Sequence, residues 1–221
     1  RFNFYFSLNL WKNRNKMHYI EFKNEFFEKV CFSIHQIESK FHQFNTNNLT
    51  RWVKKGLLIK LRNGHYAFPE YLEEPASPFY IANRIYRPSY ISLHSALAYY
   101  GLIPEAVVQV ISVSSLKTVE FKNRFGTFSY KSVQPSLMFG YEQKPFIKSL
   151  TILIAQPEKA LLDLLYLYPF YNSESEIKAL RFDEDIMHEL IKLERLNEYT
   201  ERIKSKALAS RVKLLIRNYL S

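Results

Sequence analysis

The sequence predicts an α+β chain: an N-terminal winged helix-turn-helix, then a mixed α/β domain with a helical C-terminus. Three observations predict it. Residues 45–68, NTNNLTRWVKKGLLIKLRNGHYAF, read as one short helix followed by a tight hairpin. Two amphipathic segments precede that stretch, and after Pro78 β-branched runs alternate with capped helical segments.

The first segment, Ile20 to Val30, carries Phe22, Phe26, Phe27 and Val30 at i, i+4, i+5 and i+8, the spacing of a helix with one apolar face. Ser33-Ile34-His35-Gln36 is a capping box, which opens a second helix with Ile34, Ile37 and Phe41 inward. In the third, Leu49, Trp52 and Val53 fall on one side of a wheel drawn at about 100° per residue. Asn47, Asn48, Thr50, Arg51, Lys54 and Lys55 are assigned to the other. Asn45 is placed to cap this helix, Phe44 and Leu49 to staple its entry, and Gly56 to stop it. Leu57 to Leu61 and His65 to Phe68 then flank Asn63-Gly64, the dipeptide of a type I′ turn, whose two central residues both need φ > 0. Lys60, Arg62 and His65 sit at the hairpin tip. Helix, helix, helix, hairpin is the order of a winged helix, whose third helix enters the major groove.

After that unit, Pro69 to Pro78 is proline-bearing and acidic and is expected to be a linker. Phe79 to Tyr86 is expected to be helical, ended by Pro88. A further helix follows with Ser92 as its cap, Leu93, Ala96, Leu97 and Tyr100 on one face, and Gly101 at its C-terminal stop. Val107 to Val113 is a buried strand by composition, and Thr118 to Phe121 with Thr127 to Val133 forms a hairpin turning near Asn123 and Gly126. Thr151 to Ala155 is a strand, and Pro157 stands first in a helix to Leu167 with Glu158 in its opening turn. From Phe182 to Leu220 the pattern is helical throughout. The expected organisation is an extension with little structure over 1–18, the winged helix over 19–70, a linker over 71–78 and the C-terminal domain over 79–221. Met17 is the expected natural start, because residues 1–16 mix aromatics with Asn at no period and lack the features of a signal peptide.

With 221 residues, 47% of them apolar and 16% aromatic, the chain can bury sizeable cores. The net charge of +10 is uneven, with 12 Lys+Arg against 5 Asp+Glu in residues 1–70, which favours a polyanionic partner for that third. A single cysteine, Cys31, excludes an internal disulfide and reads as a small buried hydrophobe between helices. The most apolar run, Leu150 to Phe170, is interrupted by Gln156-Pro157-Glu158-Lys159 and by Asp163, too soon to span a bilayer. A soluble, cytoplasmic protein with no membrane partner is expected.

Asn pairs bidentately with adenine and Arg with guanine, whereas Lys suits phosphate. Double-stranded DNA is therefore the expected partner of Asn47, Asn48, Thr50, Arg51, Lys54, Lys55, Lys60, Arg62 and His65. The six histidines are scattered without ligand spacing, so no metal and no cofactor is expected. Glu158, Lys159 and Asp163 lie close on one helix but are read as an N-terminal acid and a Lys159–Asp163 i,i+4 pair that stabilises the helix, not as catalytic groups. Asp183-Glu184-Asp185 is read as a solvated helix start. The last helix is basic, with Arg202, Lys204, Lys206, Arg211, Lys213 and Arg217 after Glu201. A solvated face, a second DNA contact and a docking surface are equally open readings of it.

In chain order, GLLIKLRNGHYAF, SYISLHSALAYYGLIPE, FGTFSYKSVQPSLMFG and IAQPEKALLDLLYLYP resemble the AbiEi family of antitoxins, the transcriptional-regulator half of type IV toxin–antitoxin systems linked to abortive infection. The resemblance covers about Tyr19 to Pro169, with A-x-PEKALLD and S-x-x-SAL-x-x-x-GL as its more specific elements. It implies that the winged helix binds and represses the protein's own promoter, and that the C-terminal domain counters a nucleotidyltransferase-like toxin or protects its target without needing a stable complex. Arg51, Lys54, Lys55 and the hairpin would match the DNA face, and Pro157 to Asp163 a signature of the antitoxin domain. No enzymatic activity is expected. Two other readings stay open: a winged-helix regulator unconnected with a toxin, and a nucleic-acid-acting enzyme.

Overall fold

The computed structural model describes residues 17–104 and 109–221, and the expected extension over 1–18 lies almost wholly outside them. The architecture is mixed α+β and divides into two compact units, one of Arg1–Ser77 with Asn123–Phe125, the other of Pro78–Lys122 with Gly126–Ser221.

In the first unit, helices α1 (Tyr19–Phe26), α2 (Ile34–Lys40) and α3 (Asn47–Lys54) pack with strands β1 (Cys31–Ser33), β2 (Ile59–Arg62) and β3 (His65–Ala67), paired antiparallel in the order β1-β3-β2. Phe22, Phe26, Phe32, Ile37, Leu49, Trp52, Leu58 and Phe68 form the core. The rings of Phe22 and Phe26 stack at 5.0 Å, as their i,i+4 spacing on one helix face allows. α1 is shorter than the expected Ile20–Val30. It passes into a 3-10 turn over Phe27–Lys29, and Val30, buried at φ 63°, bends the chain into β1. That strand gave no periodic signal, being three residues long, and it places Cys31, buried as expected, opposite Ala67.

α2 carries the full reciprocal capping box of Ser33 and Gln36. At α3 the N-cap position falls on Thr46, which makes no side-chain cap, and the expected cap Asn45, one residue earlier, accepts the Asn47 amide on Oδ1 at 3.0 Å. The end is a Schellman motif: Gly56, at φ 71°, donates to Val53 O at 3.0 Å, and Leu57 donates to Trp52 O at 2.9 Å. The hairpin differs from the expected type I′ turn. Gly64 takes φ 73° but Asn63 is not left-handed, and the register shifts between Lys60 and Arg62. The tip is therefore a bulged hairpin that needs one left-handed residue, which glycine supplies. The expected linker also holds structure. Pro69–Glu73 is a 3-10 turn, and Tyr71 sets its ring 5.2 Å from that of Phe27 and donates its hydroxyl to Phe27 O at 2.9 Å. The ion pair of Lys23 with Glu70 ties the same turn to α1.

The second unit is built on a six-stranded sheet in the order β6-β7-β5-β4-β9-β8, made of β4 (Ser89–Ile91), β5 (Gln109–Ser114), β6 (Val119–Asn123), β7 (Gly126–Ser132), β8 (Tyr141–Pro145) and β9 (Thr151–Ala155). β5 pairs parallel with β7 and antiparallel with β4, which runs parallel to β9, and β8 closes the edge antiparallel to β9. Val107, expected to start β5, lies outside the described residues. Helices α4 (Ser77–Ile85), α5 (Leu93–Tyr99) and α6 (Pro157–Leu167) follow, then α7 (Glu174–Lys178), α8 (Glu184–Leu190), α9 (Leu193–Ile203) and α10 (Lys206–Tyr219). The C-terminal helical pattern is thus broken, once by Lys204 at φ 56°. β9 and α6 have the bounds expected of them, with Pro157 in the first turn. From Glu158 to Leu165 every residue of α6 is buried, so this helix is hydrophobically enclosed on all sides. Among the described residues no helix is long and apolar enough to cross a membrane.

Candidate functional site

On α3 the apolar stripe of Leu49 and Trp52 is buried, while Asn47, Thr50, Arg51, Lys54 and Lys55 are exposed. Asn48 is a correction to the expected outward face. It is only 8% exposed, because it stands four residues before Trp52 and shares its side of the helix. Its Oδ1 instead accepts a 2.6 Å hydrogen bond from Arg51 Nη2, so Asn48 holds the arginine and does not itself face outward.

On the hairpin, β2 alternates buried Ile59 and Leu61 with exposed Lys60 and half-buried Arg62. Lys60 stands opposite Tyr66, whose phenol is pushed above its ordinary value by burial. His65 Nδ1 lies 3.2 Å from Asn63 O, so the tautomer protonated at Nδ1 donates into the turn and leaves Nε2 as an acceptor.

The charge around these residues is one-sided. Lys23 pairs with Glu70 and Lys40 with Glu25 at 3.1 Å. Among the described residues no carboxylate lies within ion-pair distance of Arg51, Lys54, Lys55 or Lys60. This row of donors is a locally positive surface, and the Schellman end and the aromatic core hold its backbone in place.

In the second unit, α6 carries a cluster that linear spacing did not reveal. Lys159 and Asp163 form the i,i+4 pair that their spacing predicts, and it is buried, the side chains being 0% and 4% exposed and in direct contact. Tyr90 OH donates to Asp163 Oδ2 at 2.9 Å and accepts from Lys159 Nζ at 2.8 Å, and Ser92 Oγ donates to the same Oδ2 at 2.7 Å. Ser92 holds the N-cap position of α5 but makes no side-chain cap, its hydroxyl being committed to Asp163. Burial, and then the charge of Asp163, push the Tyr90 phenol well above its ordinary value. Gly140, at φ 67°, lets the chain pass over the Lys159 stem, where an added Cβ would stand 3.1 Å from Lys159 Cβ.

Glu158 stands in the first turn as expected and is also fully buried. Its Oε1 accepts the Lys192 amide at 2.9 Å at the start of α9, and Oε2 lies 3.5 Å from Arg195 Nη1. These carboxylates brace the fold: the buried charges of Glu158, Lys159 and Asp163 are each met by a partner. Asp183 caps α8 through the Ile186 amide at 3.0 Å. Among the described residues no three His, Cys, Asp or Glu side chains come together to hold a metal ion.

Compared with family models and with curated proteins, the chain matches none.

Proposed function

We propose that the first unit is a winged helix-turn-helix that reads double-stranded DNA, and that the chain is a transcriptional autorepressor and antitoxin of the AbiEi kind, acting in the cytoplasm without catalysis or cofactor. The observation that carries this reading is the α3 surface, where exposed Asn47, Thr50, Arg51, Lys54 and Lys55 stand without counter-charge over a buried Leu49–Trp52 stripe. Arg51, oriented by Asn48, is the base reader. Lys54 and Lys55 contact phosphate, and Lys60, Arg62 and His65 line the hairpin as the wing along the backbone.

The antitoxin half of the proposal is supported by the resemblance of Ser89–Glu105 and Ile154–Pro169 to the family's elements. Ser92 from the first and Lys159 with Asp163 from the second meet in one buried cluster, which gives both elements a common physical reason. The partner of this unit is then a nucleotidyltransferase-like toxin or that toxin's target.

Two experiments test the halves separately. A reporter driven by the DNA upstream of the gene should be repressed by the wild type and released by the Arg51/Lys54/Lys55 triple-alanine variant; equal repression by both removes the DNA reading. Co-expression with a nucleotidyltransferase encoded beside the gene should restore growth with either protein, and failure of the wild type to do so removes the antitoxin reading.

A further inference from the structure

The second unit contains a cleft of about 550 Å³ between α4 and the β8–β9 edge of its sheet. That size lies within the roughly 300–1,000 Å³ range of small-molecule sites. Its chemistry is uneven. Arg84, Arg87, Tyr141, Gln143 and Thr151 line it, and among the described residues no carboxylate does. Glu142, between Tyr141 and Gln143, pairs with Lys144 at 2.7 Å and accepts from Tyr100 OH at 3.4 Å, away from the lining by strand alternation.

The arginines are held in place. The Arg84 guanidinium lies over the Tyr80 ring at 4.6 Å, and Tyr80 in turn stacks on Phe146 at 5.0 Å and 18°. Its Nε is buried with no hydrogen-bond partner among the described residues. Arg87 Nε donates to Asn83 O at 3.1 Å, and the Asn83 amide clamps Leu153 on β9 by accepting from its N–H at 2.6 Å and donating to its carbonyl at 3.1 Å. Opposite them, Tyr141 is 40% exposed and stacks on Tyr90 at 4.7 Å and 17°, so a buried ring backs an open one.

We propose that this cleft binds a nucleoside phosphate, its phosphate against Arg84 and Arg87 and its base against Tyr141, with Gln143 and Thr151 supplying polar contacts. Fixed guanidiniums suit phosphate because their planar donors meet its oxygens in pairs. A backed tyrosine suits a base because stacking tolerates any of them. The ligand is a free nucleotide or one nucleotide of a single strand. The inference does not depend on the DNA reading of the first unit.

The test is isothermal titration calorimetry of the full chain at low salt with ATP, adenosine, ribose 5-phosphate and an eight-residue adenylate RNA, no metal being added. ATP is expected to bind about tenfold or more tightly than adenosine or ribose 5-phosphate, since each of those lacks one half of the recognition. Arg84→Gln and Tyr141→Leu are each expected to weaken ATP about tenfold. Gln143 is exposed on an edge strand, so Gln143→Glu keeps the fold and puts a carboxylate into the cleft; it should abolish binding even if Arg84→Gln does not fold. RNA binding more tightly than ATP, with the same dependence on Gln143, identifies the strand as the source, and the reverse identifies the free nucleotide. Absence of ATP and RNA binding, binding unchanged in Gln143→Glu, or binding lost only in the Arg51/Lys54/Lys55 triple-alanine variant overturns the proposal.

Discussion

Ser92 Oγ donates a 2.7 Å hydrogen bond to Asp163 Oδ2, joining residues 71 positions apart in the chain. The bond ties the entry of α5 to the middle of the buried helix α6, and Tyr90 and Lys159 complete the same cluster. Removing one partner from such a group strands the others in a medium that cannot solvate them. Asp163→Ala is expected to cost about 3–5 kcal/mol, because it leaves the Lys159 ammonium buried without a counter-ion. Chemical denaturation checks this; the double change Lys159→Met with Asp163→Leu should recover much of the loss, since no charge then remains to be solvated. An unchanged midpoint for Asp163→Ala would contradict the burial of the pair.

The cluster also sets an alkaline limit. The folded Tyr90 phenol is raised well above its ordinary 10.0, first by burial and then by Asp163, and Tyr100 is raised by burial and Glu142. Above pH 10 the unfolded chain loses protons that these phenols keep when folded. The native state then binds more protons, so stability falls as pH rises. Ultraviolet titration should show some tyrosines ionising normally while Tyr90 and Tyr100 ionise only together with loss of the near-ultraviolet circular dichroism signal. Complete tyrosine ionisation in a still-folded protein would contradict this.

Gly140→Ala should destabilise the second unit. The new Cβ would lie 2.9 Å from Tyr199 Cε2, at a φ of 67° that side chains rarely adopt. Left-handed backbone costs about 1–2 kcal/mol and overpacking about 1–3 kcal/mol. A thermal melt reads the sum, and a midpoint equal to that of the wild type would show that the chain does not pass over Lys159 so closely.

On α3 the residues should separate by role. Arg51→Ala is expected to cost about 1–3 kcal/mol on the preferred DNA and to flatten sequence preference. Lys54→Ala or Lys55→Ala should weaken all DNA alike and lower the salt slope by about one unit. Asn48→Ala should act in the direction of Arg51→Ala, by releasing the guanidinium that Asn48 Oδ1 holds at 2.6 Å. Salt-series binding on matched and scrambled duplexes distinguishes these outcomes, and identical losses for all four would show that Arg51 reads no base.

Local signals carried much of the fold. Ser33 with Gln36, Gly56 and Pro157 each act within a few residues, and each marks a helix end in the structure. Strands β1 and β4 were not legible because three residues cannot show a period of two, and β8 because YEQKP is a polar edge strand. The exposed donors of α3 were legible from the wheel except Asn48, where its i+4 relation to Trp52 outweighed its polarity. Of the cluster at Asp163 only the Lys159–Asp163 pair was legible, from its i,i+4 spacing: such a pair looks the same at a surface as in a core, and only the distant Tyr90 and Ser92 distinguish the two.

The central claim is that α3 reads DNA, and fluorescence anisotropy tests it most directly. The full chain is titrated onto its own upstream DNA and onto a scrambled duplex at low and near-physiological salt, beside the Arg51/Lys54/Lys55 triple-alanine variant. Tighter binding to the upstream duplex is expected, persisting at the higher salt and lost in the variant. Equal affinity for both duplexes, or a preference that survives the triple substitution, would contradict it.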